Sequence, residues 1–504
     1  DELMFRHWDT WEDGKRSHLF VRPLAGGDAQ ARDLMPGLDA DAPTLPFGGA
    51  EEFAVSPDGR WLVYAAKVLP GSEPAWSTDV DLWAVPLDGS APARCLTEAN
   101  RAVDTQPAFS PDGKTLAYLA MARPGYEADR QRIVLLDWAT GAARPLTEAW
   151  DRSPGEIVWA PDGRAIWCTA GNLGQSSIFR VDVKTGQVAE VAHEGTNHAL
   201  QPVKNGVLFL RNSLLGPDEL HYVPADGKNL RRLTAINDAR LAAAKLGEPE
   251  QFSFPGWNGE TVYGYLVKPI DFDPARKYPV AFLIHGGPQG SFGNDFHYRW
   301  NPQAYVGAGF AALMVDFHGS TGYGQAFTDA INGHWHDRPA EDMMKGLDWA
   351  LQRWPWLDGD RVVAAGASYG GYAINWLAGQ TDRFKALVCH DGNLDERFAY
   401  FDTEELWFPE WEHGGTPWDN PDGYAHGNPI DYVKNWRTPT LVVHGELDFR
   451  LPYTQGISTF TALRRQGVPA RLLVFPDENH WVLKPQNSIQ WHDEVLGWLK
   501  RWTQ

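Results

Sequence analysis

A serine lies among glycines in Gly366-Ala367-Ser368-Tyr369-Gly370-Gly371, with an apolar run before it and a helix-like pattern after it. A serine hydroxyl is a poor nucleophile by itself. It needs a base to take its proton, an acid to orient that base, and donors for the oxyanion that its attack creates. The pattern G-x-S-x-G between a buried strand and a helix predicts a nucleophile elbow, the tight turn that lifts a hydroxyl above the sheet of an α/β-hydrolase. That fold takes its acid and then its histidine from the ends of later strands, in the chain order Ser, Asp or Glu, His. Asp448 follows the apolar run of "TLVVHGELD", and His480 follows that of "LLVFPDENHW". His480 is expected to take the Ser368 proton and return it to the leaving group, while Asp448 fixes the imidazole tautomer and stabilises its charged form.

Glu446, Asp477 and Glu478 are rival acids, and loop depth after the strand favours Asp448. His285 and His444, beside glycines at strand ends, read as structural; His334, His336, His390, His413 and His492 lack the chain order. The expected oxyanion donors are the backbone N–H of Tyr369 and one from the loop "HGGPQG" at 285–290, placed at Gly287 with Gly286 as the close alternative. Glycines there let the main chain approach a substrate carbonyl, although a simple turn would use the same residues. No His and carboxylate spacing resembles a zinc motif. Cys95, Cys168 and Cys389 lie far apart with no C-x-x-C pair, so neither a metal nor a cofactor is expected.

These residues need a sheet to hold them. Apolar runs at "YPVAFLIHGG", "FAALMVDFHGS", "RVVAAGASYGG", "KALVCHDG", "PTLVVHGELD" and "ARLLVFPDENH" alternate with helical segments, which predicts a parallel sheet covered on both faces. The first half of the chain reads differently. "FAVSPDGRWLVYAA", "PAFSPDGKTLAYLA" and "IVWAPDGRAIWCTA" each hold two strands around a Pro-Asp-Gly turn, and "PVKNGVLFLRN" is a weaker fourth copy. The turn glycines Gly59, Gly113, Gly163 and Gly206 recur at intervals of 54, 50 and 43 residues, within or just above the spacing of propeller blades. A further hairpin follows each copy, and an orphan hairpin, "HLFVRPLAGGDAQARDLM", precedes the first. The expectation is an all-β propeller over 1–245, with four full blades, a partial one and an incomplete N-terminal side, followed by an α/β-hydrolase catalytic domain over 246–504.

At 504 residues the chain is long enough for two cores. A formal net charge of -20 repels phosphate backbones and anionic lipid, which argues against nucleic acid and membrane surfaces as partners. No apolar run reaches the length of a membrane span, and "DELMFRHWDTWEDG" is no signal segment. The first residue is not methionine, which leaves room for a removed leader, so the compartment is not readable from this end.

Propeller repeats ahead of "HGGP", "HGSTGYG", "GASYGGY", "HGELD" and "DENH" resemble the prolyl oligopeptidase family of serine peptidases over essentially the whole chain. "HGGP" and "FRHWDTW" are similar to its acylaminoacyl-peptidase branch, and within that to the dipeptidyl peptidase V group. The resemblance places the triad on Ser368, Asp448 and His480. Other branches use a tyrosine side chain as oxyanion donor where this sequence has His285, which leaves the two backbone N–H groups. It implies a propeller that admits only short peptides, carboxylates that meet the substrate's free α-amine, expected within residues 1–245, and a periplasmic or secreted location. "LWFPEW" (406–411) lines an apolar pocket on this view, or packs within a helical cap. The expected function is a serine exopeptidase releasing N-terminal dipeptides through an acyl-enzyme on Ser368. Alternatives are an acylaminoacyl peptidase, a broad esterase, or a propeller binding module with an inactive hydrolase domain. An incomplete ring would leave two unpaired sheet edges, which allows a homo-oligomer.

Overall fold

A computed structural model describes residues 3–24 and 30–504. In its first half, antiparallel groups of four strands follow one another over 53–95, 104–145, 154–192 and 196–232. The first two are separate sheets. The last two join through a parallel pairing of Ser176 with Thr196. The Pro-Asp-Gly turn accounts for the inner hairpins: Gly59, Gly113 and Gly163 sit at φ +70°, +69° and +68°, where other residues are strained. Asp58 closes its turn by accepting from Ser56 Oγ at 2.6 Å and Arg60 N at 3.1 Å. Gly206 departs from the expected pattern. It opens the strand Gly206–Ser213, where a Cβ would lie 2.2 Å from the Val223 carbonyl oxygen, so close packing and not turn geometry requires glycine there. Neighbouring sheets bury a shared core, such as Val63 and Leu82 against Leu116 and Tyr118. In the orphan hairpin Phe20–Val21 pairs with Arg32–Asp33; its turn, 25–29, lies outside the described residues.

The second half builds one sheet of eight strands: β1 (Pro249–Pro255), β2 (Thr261–Val267), β3 (Tyr278–Ile284), β4 (Ala311–Asp316), β5 (Leu357–Ala367), β6 (Leu387–His390), β7 (Thr440–Gly445) and β8 (Ala470–Phe475). Their spatial order is β1-β2-β4-β3-β5-β6-β7-β8. β2 is antiparallel to both its neighbours and all the others run parallel. The continuous apolar runs reflect burial on both faces. On β3, Val280, Phe282 and Ile284 enter one core while Ala281 and Leu283 enter the other. The helix Tyr369–Gln380 covers the first core through Ile374 and Leu377, and the helix Pro485–Arg501 covers the second through Trp491 and Val495. The result is a propeller-like set of antiparallel sheets followed by an α/β-hydrolase-type sheet. No helix among the described residues is long and apolar enough to cross a membrane.

The two halves meet above the C-terminal ends of the parallel strands. Tyr126 stacks on Trp411 at 4.5 Å, and Arg123 bridges Asp129 (2.6 Å) and Asp329 (2.7 Å). The N-terminal hairpin, Arg6–His7 paired with Thr10–Trp11, crosses to the second half. There Trp8 O accepts from Phe449 N at 3.0 Å, His7 Nδ1 meets Glu404 Oε2 at 2.7 Å, and Asp9 Oδ2 accepts from Asn479 Nδ2 at 2.7 Å.

Candidate active site

Ser368 follows β5 directly and holds φ 60°, ψ −124°. A non-glycine residue there stores about 1–3 kcal/mol of strain and needs surroundings that enforce it. Two close approaches do so. A Cβ on Gly366 would lie 2.5 Å from the Gly370 carbonyl oxygen, and one on Gly370 would lie 2.3 Å from that of Ile284. The glycines therefore let the helix start press against β5 and β3, which leaves the serine at the apex. Its N–H donates to Asp391 Oδ1 at 2.5 Å and to the His390 carbonyl at 3.2 Å.

Asp448 and His480 leave the ends of β7 and β8, and His480 Nδ1 lies 2.7 Å from Asp448 Oδ2. Asp448 is locked by accepting the backbone N–H of Arg450 at 3.1 Å and of Leu451 at 2.9 Å through Oδ1. Burial alone would raise its pKa, but the His480 and His444 rings hold it well below the usual carboxylate range. Burial works against a charged His480, yet the Asp391 and Asp448 carboxylates keep the imidazole above the ordinary histidine value. Ser368 and His480 line one cavity of about 710 Å³. Among the described hydrogen bonds none joins Ser368 Oγ to His480; such contacts commonly tighten only when substrate is bound.

The rival residues have other partners. Glu446 is exposed, Asp477 pairs with Lys484 at 2.6 Å, and Glu478 accepts the N–H groups of Leu483 and Lys484. His444 Nε2 meets the Leu451 carbonyl at 2.6 Å, and His285 bridges Ser320 Oγ (2.9 Å) and the Gly286 carbonyl (2.8 Å). His334 pairs with Asp337, His336 packs on Trp376 and His492 meets Ser488 O. His390 and His413, set aside on chain order, do line the cavity.

Tyr369 N–H is the first of its helix and has no partner within it. Gly286 and Gly287 line the same cavity, and a Cβ on Gly286 would stand 3.0 Å from Ser368 Cβ. Gly287 holds φ +121°. Two main-chain segments thus converge on the serine, as an oxyanion hole requires. Asp391, Asp448 and His480 also offer three potential ligand atoms within 4.8 Å of one another. The 2.7 Å Nδ1···Oδ2 spacing is that of a hydrogen bond, shorter than the ~3.3 Å between two ligands of one tetrahedral zinc.

Asp391, Glu404, Glu405, Arg450 and Trp8, in or beside the cavity, are not singled out as site residues by the sequence. Asp391 gains its place only because β6 lies beside β5. Arg450 meets Glu404 Oε1 at 2.8 Å and Glu405 Oε2 at 3.0 Å. Trp8 packs edge-on against His480, with ring centroids 5.6 Å apart. From "LWFPEW", Phe408, Pro409 and Trp411 line the cavity.

The profile described as "Prolyl oligopeptidase family" matches residues 296–504. Dipeptidyl-peptidase 5 of Schizosaccharomyces pombe is 37% identical over 520 residues, spanning 100% of this chain and 75% of that protein. Dipeptidyl-peptidase 5 of Porphyromonas gingivalis is 34% identical, spanning 99% and 74%. Among solved structures, an acylaminoacyl peptidase of Pyrococcus horikoshii superposes with a TM-score of 0.77 at 22% identity, covering 88% of this chain and 70% of that one.

Proposed function

Because this chain belongs to the prolyl oligopeptidase family of serine peptidases, we propose that it releases N-terminal dipeptides from short peptides through an acyl-enzyme on Ser368. Ser368 Oγ attacks the scissile carbonyl carbon as its proton passes to His480 Nε2, and the Tyr369 N–H with one from Gly286–Gly287 receives the oxyanion. His480 then hands the proton to the departing amine. Water enters by the same route and frees the dipeptide from Ser368.

The observation that carries the dipeptidyl reading is the charge around Arg450. Its guanidinium meets Glu404 Oε1 through Nε at 2.9 Å and Nη2 at 2.8 Å, and only Nη2 reaches Glu405, at 3.0 Å. Burial pushes the pKa of Glu405 well above the carboxylate range, and the charges of Glu127 and Glu404 push it further against the pull of Arg450. Glu405 lines the cavity together with Glu127. A buried carboxylate short of positive charge, in the same cavity as the nucleophile, suits a substrate α-ammonium. Glu127 belongs to the repeat half, where such groups were expected, and Glu404 and Glu405 to the catalytic half. The two relatives above also carry the name dipeptidyl-peptidase 5.

The test pairs a dipeptidyl anilide with its N-acetylated form. Rapid release from the free amine and slow release from the blocked one is expected; the opposite order would favour an acylaminoacyl peptidase. Failure of a fluorophosphonate to label Ser368 would remove the serine mechanism altogether.

A further inference from the structure

Asp448 is not the only carboxylate at His480. Asp391 follows β6, which lies between β5, carrying Ser368, and β7, carrying Asp448. It is 1% exposed. Oδ1 accepts the Ser368 N–H at 2.5 Å, and Oδ2 stands 3.5 Å from His480 Nδ1, the nitrogen that Asp448 Oδ2 meets at 2.7 Å. Oδ2 has no hydrogen bond among the described residues. The backbone at Asp391 holds φ +40° and is pinned by its N–H donating to Val443 O on β7 at 2.9 Å. A buried acceptor left open and a strained backbone both cost free energy. Strain of this kind clusters at working sites.

We propose that Asp391 is a positioning residue of the triad, with one oxygen fixing the nucleophile's backbone and the other sharing the Nδ1 proton of His480 with Asp448. The inference rests on reading Ser368 and His480 as nucleophile and base. The forming imidazolium then faces two carboxylates at 2.7 and 3.5 Å, and since attraction falls only as the inverse of distance, the second contributes on the scale of the first. Arg450 acts on His480 in the opposite sense. His444 reaches Asp448 Oδ2 at 3.6 Å, and His390 Nε2 stands 3.3 Å from Asp391 Oδ2. Burial takes His390 down to about 4, so it stays neutral near pH 7 and adds no positive charge beside Asp391. Arg299 also faces Asp391.

The test is the rate of fluorophosphonate labelling against pH for the full chain, Asp391→Asn, Asp448→Asn and the double variant. The Asp391→Asn side chain keeps an acceptor for the Ser368 N–H. The expected result is a rise in labelling that begins about one pH unit lower than in the parent, because His480 has lost one of its two anions. With Asp391 still able to hold Nδ1–H, Asp448→Asn should lose ~10²-fold, against the ~10⁴-fold seen where losing the acid lets the tautomer flip. The double variant should fall at least ~10-fold further. An unshifted profile in Asp391→Asn, or equal rates for Asp448→Asn and the double variant, would overturn the proposal. Should Asp391→Asn fail to fold, the Asp448→Asn rate alone decides between ~10² and ~10⁴. An unlabelled parent would strike instead at the Ser368 reading itself.

Discussion

Replacing Glu405 with Gln keeps the size of the side chain and removes its ability to ionise. In the free protein Arg450 keeps its two contacts with Glu404 when Glu405 loses its charge, and burial together with Glu127 and Glu404 disfavours the Glu405 anion against the pull of Arg450. The melting temperature should hold or rise slightly. Substrate binding should feel the change. An ammonium that meets a carboxylate gains a charge-assisted hydrogen bond of about 1.5–3 kcal/mol, which corresponds to a loss of roughly 10- to 150-fold in kcat/KM for a free dipeptidyl anilide. The N-acetylated anilide, which brings no charge, should be hydrolysed by Glu405→Gln as by the parent. The pH dependence carries its own sign. A carboxylate with a raised pKa must release its proton to pair with the ammonium, so KM for free-amine substrates should fall as pH rises toward the raised value, until the substrate amine itself deprotonates. Glu405→Gln should abolish that slope. Equal losses on free and blocked substrates would show that Glu405 serves the fold or the triad and not the amine, and the dipeptidyl reading would lose its support.

Ser368→Ala and His480→Ala should each lower kcat/KM by ~10⁴-fold or more with unchanged circular dichroism, and Ser368→Ala should abolish fluorophosphonate labelling. Because the base must be neutral and two carboxylates hold its proton more tightly than usual, kcat/KM should rise on the alkaline side of the ordinary histidine value of ~6.5; a midpoint below 6 would contradict the geometry. Gly286→Ala would set a Cβ 3.0 Å from both Ser368 Cβ and the Ala367 carbonyl, forcing a shift of a few tenths of an ångström, and a loss of about 10- to 100-fold in kcat is expected with little change in melting. Trp411→Ala removes the stack on Tyr126 that joins the two halves at the cavity. The ratio of long to short peptide hydrolysis should then increase, and an unchanged ratio would deny that this contact limits access.

Local patterns carried much of the fold. Pro-Asp-Gly turns identify hairpins because glycine alone takes φ near +70° cheaply, and two-sided burial writes itself as unbroken apolar runs. Ser368, Asp448 and His480 could be singled out for a related reason: each stands just past such a run, where a parallel sheet ends its strands together. Gly206 shows the limit, since a glycine kept for contact with Val223 looks the same in the chain as one kept for a turn. Asp391 was hidden because its importance comes from strand order, β6 between β5 and β7, and that order is not the order of the chain. Glu404 and Glu405 were hidden for another reason. In "TEELW" they look like the polar start of an aromatic cap, and only Arg450, 46 residues past Glu404, marks them as a charged cluster.

The N-terminal hairpin has a consequence for how the molecule assembles. Trp8 and Asp9 are held by Phe449 and Asn479, partners that flank the acid and the base and lie more than 400 residues later in the chain. Closing a loop of that length costs about 5 kcal/mol in chain entropy, and contacts so distant in sequence slow folding. During synthesis the hairpin, whose Trp8 also packs on Phe47 at 4.8 Å, cannot meet Phe449 and Asn479 until those residues have left the ribosome. The acid and base loops therefore gain the cover of Trp8 only after both have been made, and a chain stalled before Asn479 would lack it.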